Sequence, residues 1–260
     1  MIRELSSRGH DVSSFPLSAE ASSLCSIKAA APERAEVVLL DVPYRGDEAV
    51  RLAHKQGSKV VALDYEGSVA PEVAISLQVR ERMPSSTRSY VGVDFAIIRR
   101  EIRQAKAAKC RGSEVLVVIG GGDFEGLSDK IASRLSATPL CVIQGPVAGV
   151  IGSERENVRI LHSPPDLPHL MSRCSWAVTS GGTAMLEMLF LGKATHVVPR
   201  TDAEMVFARG FLEQGALLGV GLESLNEPSP ASMNRCEELG PLLVDGCGAE
   251  RIAQTVEQLL

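Results

Sequence analysis

A chain of 260 residues, 45% of them hydrophobic and 23% charged, is long enough for one large domain or two ordinary ones and has the balance of a globular protein, which excludes a disordered tail or a fibre. Its formal net charge of -5 excludes a broad nucleic-acid surface, because phosphate backbones are bound by clustered Lys and Arg, and any anionic ligand must be held locally. No apolar run reaches the roughly 18 residues of a membrane helix, and the N-terminus has neither the apolar core nor the cleavage site of a signal peptide, so a cytoplasmic protein without a membrane partner is expected.

In chain order, the opening MIRELSSRGHDVSSF combines a short helical pattern with the pair Gly9-His10. That pair reads in two ways, as a catalytic imidazole in a loop or as a polar residue in the turn after a helix. Short apolar runs follow, VVLLD at 37–41 and KVVALD at 59–64, with a helical pattern at 47–55 between them. The basic stretch IIRREIRQAKAAKCRGS at 97–113 has few large apolar side chains after Ile102 and reads as a linker, which places two domains at 1–108 and 109–260. Beyond it, strands are predicted in EVLVVIGGGD (114–123), PLCVIQG, NVRILHS, WAVTSGG and ATHVVP, and helices at 127–135, 184–191 and 206–214. The last segment, AERIAQTVEQLL, repeats apolar positions at Ile252, Val256, Leu259 and Leu260, the pattern of a terminal helix docked on a sheet. Continuous apolar runs without alternation suit strands covered on both faces, so the expected fold class is α/β with parallel sheets between helices.

Two of the strands end in glycine. In WAVTSGGTAMLEM the strand runs into Ser180, Gly181, Gly182 and Thr183, and a helix begins at once. Glycines let backbone N–H groups approach a phosphate, and a helix N-terminus adds about half a unit of positive charge. Thr183 either caps the helix or donates to a phosphate oxygen, and Glu187, one turn on, faces the same side and can accept from ribose hydroxyls. The other reading is a tight strand-to-helix turn with Thr183 as an ordinary N-cap. VVIGGGDFEG sets Gly120, Gly121 and Gly122 after another strand, again as an anion cradle or a plain turn. Two such loops in one half favour a ligand site, since ligands of open sheets gather at the carboxyl ends of strands. The six cysteines, Cys25, Cys110, Cys141, Cys174, Cys236 and Cys247, lack C-x-x-C spacing and read as reduced thiols, with no metal site expected. A plain NAD-binding protein is disfavoured, because no G-x-G-x-x-G follows a first strand with an acidic residue about twenty positions on.

The GGGD loop at 120–123, the run DLPHLMSRCSWAVTSGGTAMLEMLFLGKATHVVP from Asp166 and VDGCGAERIAQTVEQLL from Val244 together resemble the C-terminal domain of the GT-B nucleotide-sugar enzymes. Within them the chain most resembles the UDP-sugar hydrolase of pseudaminic acid biosynthesis and its spore-coat relatives. YVGVDFAIIRREI at 90–102, VVLLDVPY and KVVALD are similar upstream, so the resemblance spans nearly the whole chain. It implies two Rossmann-like domains facing a cleft and UDP or a UDP-sugar as ligand without a further cofactor. Gly121, Gly122 and Thr183 would then lie near the diphosphate and Glu187 near the ribose. Where the family carries an Asn-Gln pair for the sugar, this chain reads PRTDAEMVFA at 199–208, and Glu204 and Met205 do not offer both amides' donors and acceptors.

The same resemblance matches IRELSSRGHDVSSF to the end of the family's first helix and the turn after it. His10 then falls outside the catalytic loop, and an N-terminal domain lacking its first strand, glycine loop and catalytic His is expected. The catalytic residues are left unknown, with His162 at a strand end as the one substitute. Two functions follow: a UDP-sugar hydrolase-like or glycosyltransferase-like protein with impaired hydrolysis, or a non-catalytic accessory protein of the same fold that holds a peptide or protein partner in a biosynthetic pathway.

Overall fold

The computed structural model describes residues 1–14, 35–41, 46–78, 84–106, 112–120, 126–145 and 156–260. The chain forms two compact units, Met1–Ile97 together with Cys247–Leu260 as unit 1, and Ile98–Gly246 as unit 2. Each is an α/β sandwich around a parallel sheet, the class expected from the uninterrupted apolar runs.

Unit 1 contains α1 (Ile2–Ser7), β1 (Val37–Asp41), α2 (Gly46–Lys55), β2 (Lys59–Leu63), β3 (Val73–Ser76), β4 (Arg88–Val91) and the C-terminal helix (Gly248–Glu257). Its four strands pair in parallel in the order β1-β2-β3-β4. The two-residue period of a strand decides which side chain goes to which face. Val61, Val73 and Ile75 meet Leu5 of α1 and Ile252, Ala253 and Val256 of the C-terminal helix. Val60 and Ala62 turn the other way, onto Val50 and Ala53 of α2 and onto Tyr65. A division at residues 108 and 109 keeps the C-terminal helix with the second half of the chain; the helix packs instead in unit 1, because its apolar stripe finds partners on β2 and β3.

A hydrogen-bonded turn ties α2 to the loop after β2. Asp47 accepts from the Ser68 backbone N–H at 2.8 Å, the Ser68 hydroxyl at 2.6 Å, the Val69 N–H at 3.1 Å and the Tyr65 hydroxyl. Burial works against ionisation there, yet these donors hold the Asp47 carboxyl down to about 2.

Unit 2 runs through α3 (Arg100–Ala105), β5 (Val115–Val118), α4 (Leu127–Arg134), β6 (Leu140–Gln144), β7 (Val158–His162), α5 (Leu167–Arg173), β8 (Ala177–Thr179), α6 (Thr183–Phe190), β9 (Thr195–Val197), α7 (Asp202–Glu213), β10 (Gly219–Val220) and α8 (Pro230–Leu243). Its six strands are all parallel, in the order β10-β9-β8-β5-β6-β7. Val115, Val117, Leu140, Val142 and Val178 pack one face against Ile131 and Leu135 from the α4 region and Met233 and Cys236 of α8. β5 is buried along its whole length. That is the strand on which the two halves of this sheet turn.

Candidate functional site

From β5 the chain winds outward twice, through β6 and β7 on one side and through β8, β9 and β10 on the other. Such a reversal opens a crevice at the carboxyl ends of the two strands that flank it, and ligands of open α/β sheets bind there. β5 and β8 are the flanking pair, with Val118 beside Thr179. The chain leaves β5 through Gly120 and leaves β8 through Ser180, so the two glycine turns singled out in the sequence are neighbours. Gly120 has φ +98°, a conformation glycine adopts without strain. Gly121 and Gly122 lie outside the described residues.

The two glycines after Ser180 do different things. A β-carbon on Gly181 would stand 2.7 Å from Glu204 Cβ and 2.8 Å from the Glu204 carbonyl oxygen, so Gly181 is required for the close approach of α7. Its N–H donates to Glu204 Oε2 at 3.2 Å. Around Gly182 there is nothing within 4 Å of such a carbon. Gly182, not Thr183, is the N-cap of α6, and no side chain caps that helix or places an acid in its first turn. Thr183 is therefore the first helical residue and is exposed. An uncapped, unneutralised N-terminus of this kind favours an anion through its free N–H groups and dipole.

Glu187 is not an open carboxylate. Its side chain is 2% exposed, and the Arg99 guanidinium, 49% exposed, holds it from both nitrogens, Nε to Oε1 at 2.6 Å and Nη2 to Oε2 at 2.7 Å. The hydrogen bonds to Glu187 push the Arg99 guanidinium further up, against the opposing effect of burial. A parallel fork of this geometry is among the stronger ion pairs proteins make. Arg99 lies 88 residues from its partner, and nothing in the local pattern of IIRRE announces the contact.

Arg200 is the other residue that sequence reasoning did not assign to this place, and Glu204, which it set opposite the sugar-contacting amides of similar enzymes, has a different task. Thr201 caps α7 by accepting from the Glu204 N–H at 3.2 Å, which starts that helix four residues before the 206–214 window. Glu204 then reaches back, and its Oε2 accepts from the Arg200 N–H at 2.7 Å as well as from Gly181. The Thr-x-x-Glu spacing in RTDAE is a capping-box signal that was available in the sequence. Glu204 is thus turned onto backbone donors at the edge of the site.

None of the five histidines sits at this crevice as an evident base. His10 follows the end of α1, where Gly9 has φ +90°, and its Nε2 lies 3.1 Å from Glu257 Oε1 in a cluster with Arg8 and Glu4. This is the turn-after-a-helix reading of RGHDV. His162 ends β7, three strands from β8, or about 14 Å at the usual strand spacing. His196 is buried in β9, with its pKa lowered by burial and its Nε2 2.9 Å from the Gly221 carbonyl oxygen, so the neutral ring donates there. His54 contacts Glu72, and His169 contacts Arg173. Burial pushes the Cys174 thiol up to about 12 and the Cys236 thiol to about 11, which makes both inert. Among the described residues no group of His, Cys, Asp and Glu is arranged to hold a metal ion, and no helix is long and apolar enough to cross a membrane.

No protein-family model matches the chain. It is similar to the spore coat polysaccharide biosynthesis protein SpsG of Bacillus subtilis (strain 168), with 24% identity over 251 residues that cover 85% of this chain and 73% of that protein. Among solved structures it is similar to the glycotransferase of kitacinnamycin, with TM-score 0.65, 18% identity, and coverage of 100% of this chain and 94% of that one. It is also similar to MnaA of S. aureus in a structure with UDP, with TM-score 0.58, 11% identity, and coverage of 91% and 79%. These likenesses establish a GT-B-like fold of two Rossmann-like domains.

Proposed function

We propose that the protein binds a uridine diphosphate nucleotide or UDP-sugar at the β5/β8 crevice of unit 2 and acts in nucleotide-sugar chemistry. The observation that carries this reading is the pairing of β5 with β8 at the strand-order reversal, which sets Gly120 beside the turn from Ser180 to Thr183. The similarity to MnaA in a structure with UDP supports the choice of nucleotide, and the similarity to the polysaccharide biosynthesis protein SpsG supports sugar chemistry. In this arrangement the diphosphate lies over Gly120 and the N-terminus of α6, where the N–H groups of Gly182 and Thr183 and the Thr183 hydroxyl donate to it. For Glu187, 2% exposed and gripped by Arg99, to accept from the ribose hydroxyls, half-exposed Arg99 has to shift aside.

The sugar is a separate matter. Glu204 spends its carboxylate on Gly181 and Arg200, which favours a second reading in which the nucleotide is bound with little recognition of the sugar and an accessory role follows. Calorimetric titration of UDP and then of several UDP-sugars tests both. Saturable UDP binding at one site per chain, weakened roughly 10- to 100-fold in Thr183→Ala, is expected for a hydroxyl donating to a charged oxygen. A chain that takes up no UDP at millimolar concentration rules out the nucleotide. UDP-sugars that bind much more tightly than UDP rule out the second reading.

A further inference from the structure

One cation at the same strand ends has its charge uncommitted among the described residues. Arg200 follows β9 directly in space from the glycine turns: a β-carbon on Gly120 would lie 3.6 Å from an Arg200 guanidinium nitrogen and 4.0 Å from Ser180 Oγ. Cation, hydroxyl and positive-φ glycine therefore share one spot. Ser180 is 5% exposed, and its hydroxyl has no hydrogen-bond partner among the described residues. Arg200 is exposed, and its guanidinium likewise has no ion pair or hydrogen bond among them. Other arginines of unit 2 are engaged: Arg99 with Glu187, Arg159 with Glu114, and Arg134 with the carbonyls of Leu225 and Glu223.

The root of Arg200 is nonetheless fixed. Its N–H is held by Glu204 at 2.7 Å, and the next residue, Thr201, caps α7. Glu204, four residues on, spends its carboxylate on two backbone donors and forms no ion pair with the guanidinium. An anchored backbone with a free planar fork suits pairing with two oxygens of one phosphate.

We propose that Arg200 binds the diphosphate of the ligand, pairing with its non-bridging oxygens across Gly120 while the Ser180 hydroxyl donates to the same group. The identity of the ligand as a nucleotide rests on the function proposed above; the anion subsite does not. Arg200→Gln and Arg200→Lys are compared with the unaltered chain by titration with UDP and, separately, with inorganic pyrophosphate, alongside thermal melts. Arg200→Gln should weaken both ligands roughly 10- to 100-fold with the melting midpoint unchanged, and Arg200→Lys, which keeps the charge and loses the fork, should fall between. UDP binding that ignores Arg200→Gln overturns this inference and leaves the nucleotide reading standing. Pyrophosphate binding that depends on Arg200, with no UDP binding, does the opposite. A chain that binds neither overturns both; where Arg200→Gln loses its fold, binding weakened in Arg200→Lys at an unchanged midpoint supports the subsite and full affinity there overturns it.

Discussion

In unit 1 the described strands cross the sheet in chain order, and their carboxyl ends carry Asp41, Asp64 and Ser76; in unit 2 the order reverses between β5 and β8, and the ends carry glycine turns, a bare helix N-terminus and Arg200. Both sheets are parallel, and both are covered on two faces by helices. What separates them is winding and charge. A sheet wound in one direction opens no crevice between adjacent strands, and carboxylates at its ends repel an anion. A sheet wound both ways opens one, and here backbone donors and a cation line it. One chain thus uses the same architecture twice, and among the described residues only the second use has the makings of an anion site.

Within unit 2 the contrast between held and open groups can be broken most severely at Arg99. Arg99→Ala leaves Glu187 buried without its fork and should lower stability by about 2–4 kcal/mol, somewhat under the loss for a fully buried pair because Arg99 is half exposed. Urea unfolding measures it, and replacing both residues by Met should recover most of the loss; an unchanged Arg99→Ala midpoint would mean that Glu187 is open after all.

The glycine pair sharpens the same contrast. Gly181→Ala drives a methyl into the backbone of α7 and should cost about 1–3 kcal/mol. Gly182→Ala meets no atom within 4 Å and has φ -101°, so its effect on stability should stay within about 0.5 kcal/mol while UDP affinity falls. Equal losses of stability at the two positions would erase the distinction between architecture and ligand contact.

For unit 1 the expected effect is smaller and depends on pH. Asp47 is depressed from 3.8 to about 2, so its contribution is complete above about pH 4 and disappears as pH falls toward 2. After allowance for its partial exposure this is worth about 1 kcal/mol. Asp47→Asn should remove that portion of the acid dependence when urea midpoints are compared at pH 5, 3 and 2. His10→Ala should have the least effect of all, releasing one part-buried contact to Glu257 and leaving UDP titrations untouched. A UDP titration altered by that change would bring His10 back to the ligand.

The elements legible in the sequence were those with a dense local signal. VVLLD, KVVAL, LCVIQ and VRILH are apolar-rich runs and each is a strand, the middle two largely buried and the outer two partly exposed. β4, Arg88–Val91, is mostly exposed and has no such run, β10 is only two residues long, and the buried β3, Val73–Ser76, went unread. α8 went unread because Pro230 starts it, Pro241 lies within it and polar residues interrupt its apolar stripe.

By itself the sequence determined the parallel α/β class, the glycines after β5 and β8 and the turn that carries His10, because each rests on contacts or dihedrals within a few residues. It also placed Ser180, Gly181, Gly182 and Thr183 at a strand end. Only the tertiary structure decided that these turns are neighbours, since adjacency depends on strand order and not on any local pattern. It likewise decided that Glu187 is gripped by Arg99 across 88 residues, that Glu204 serves backbone donors, and that Arg200 is left beside Gly120 with its charge free. The C-terminal helix packs in unit 1 for the same reason. A stripe of Ile252 and Val256 states that a helix must bury one face, and the fold supplies the surface that it buries against.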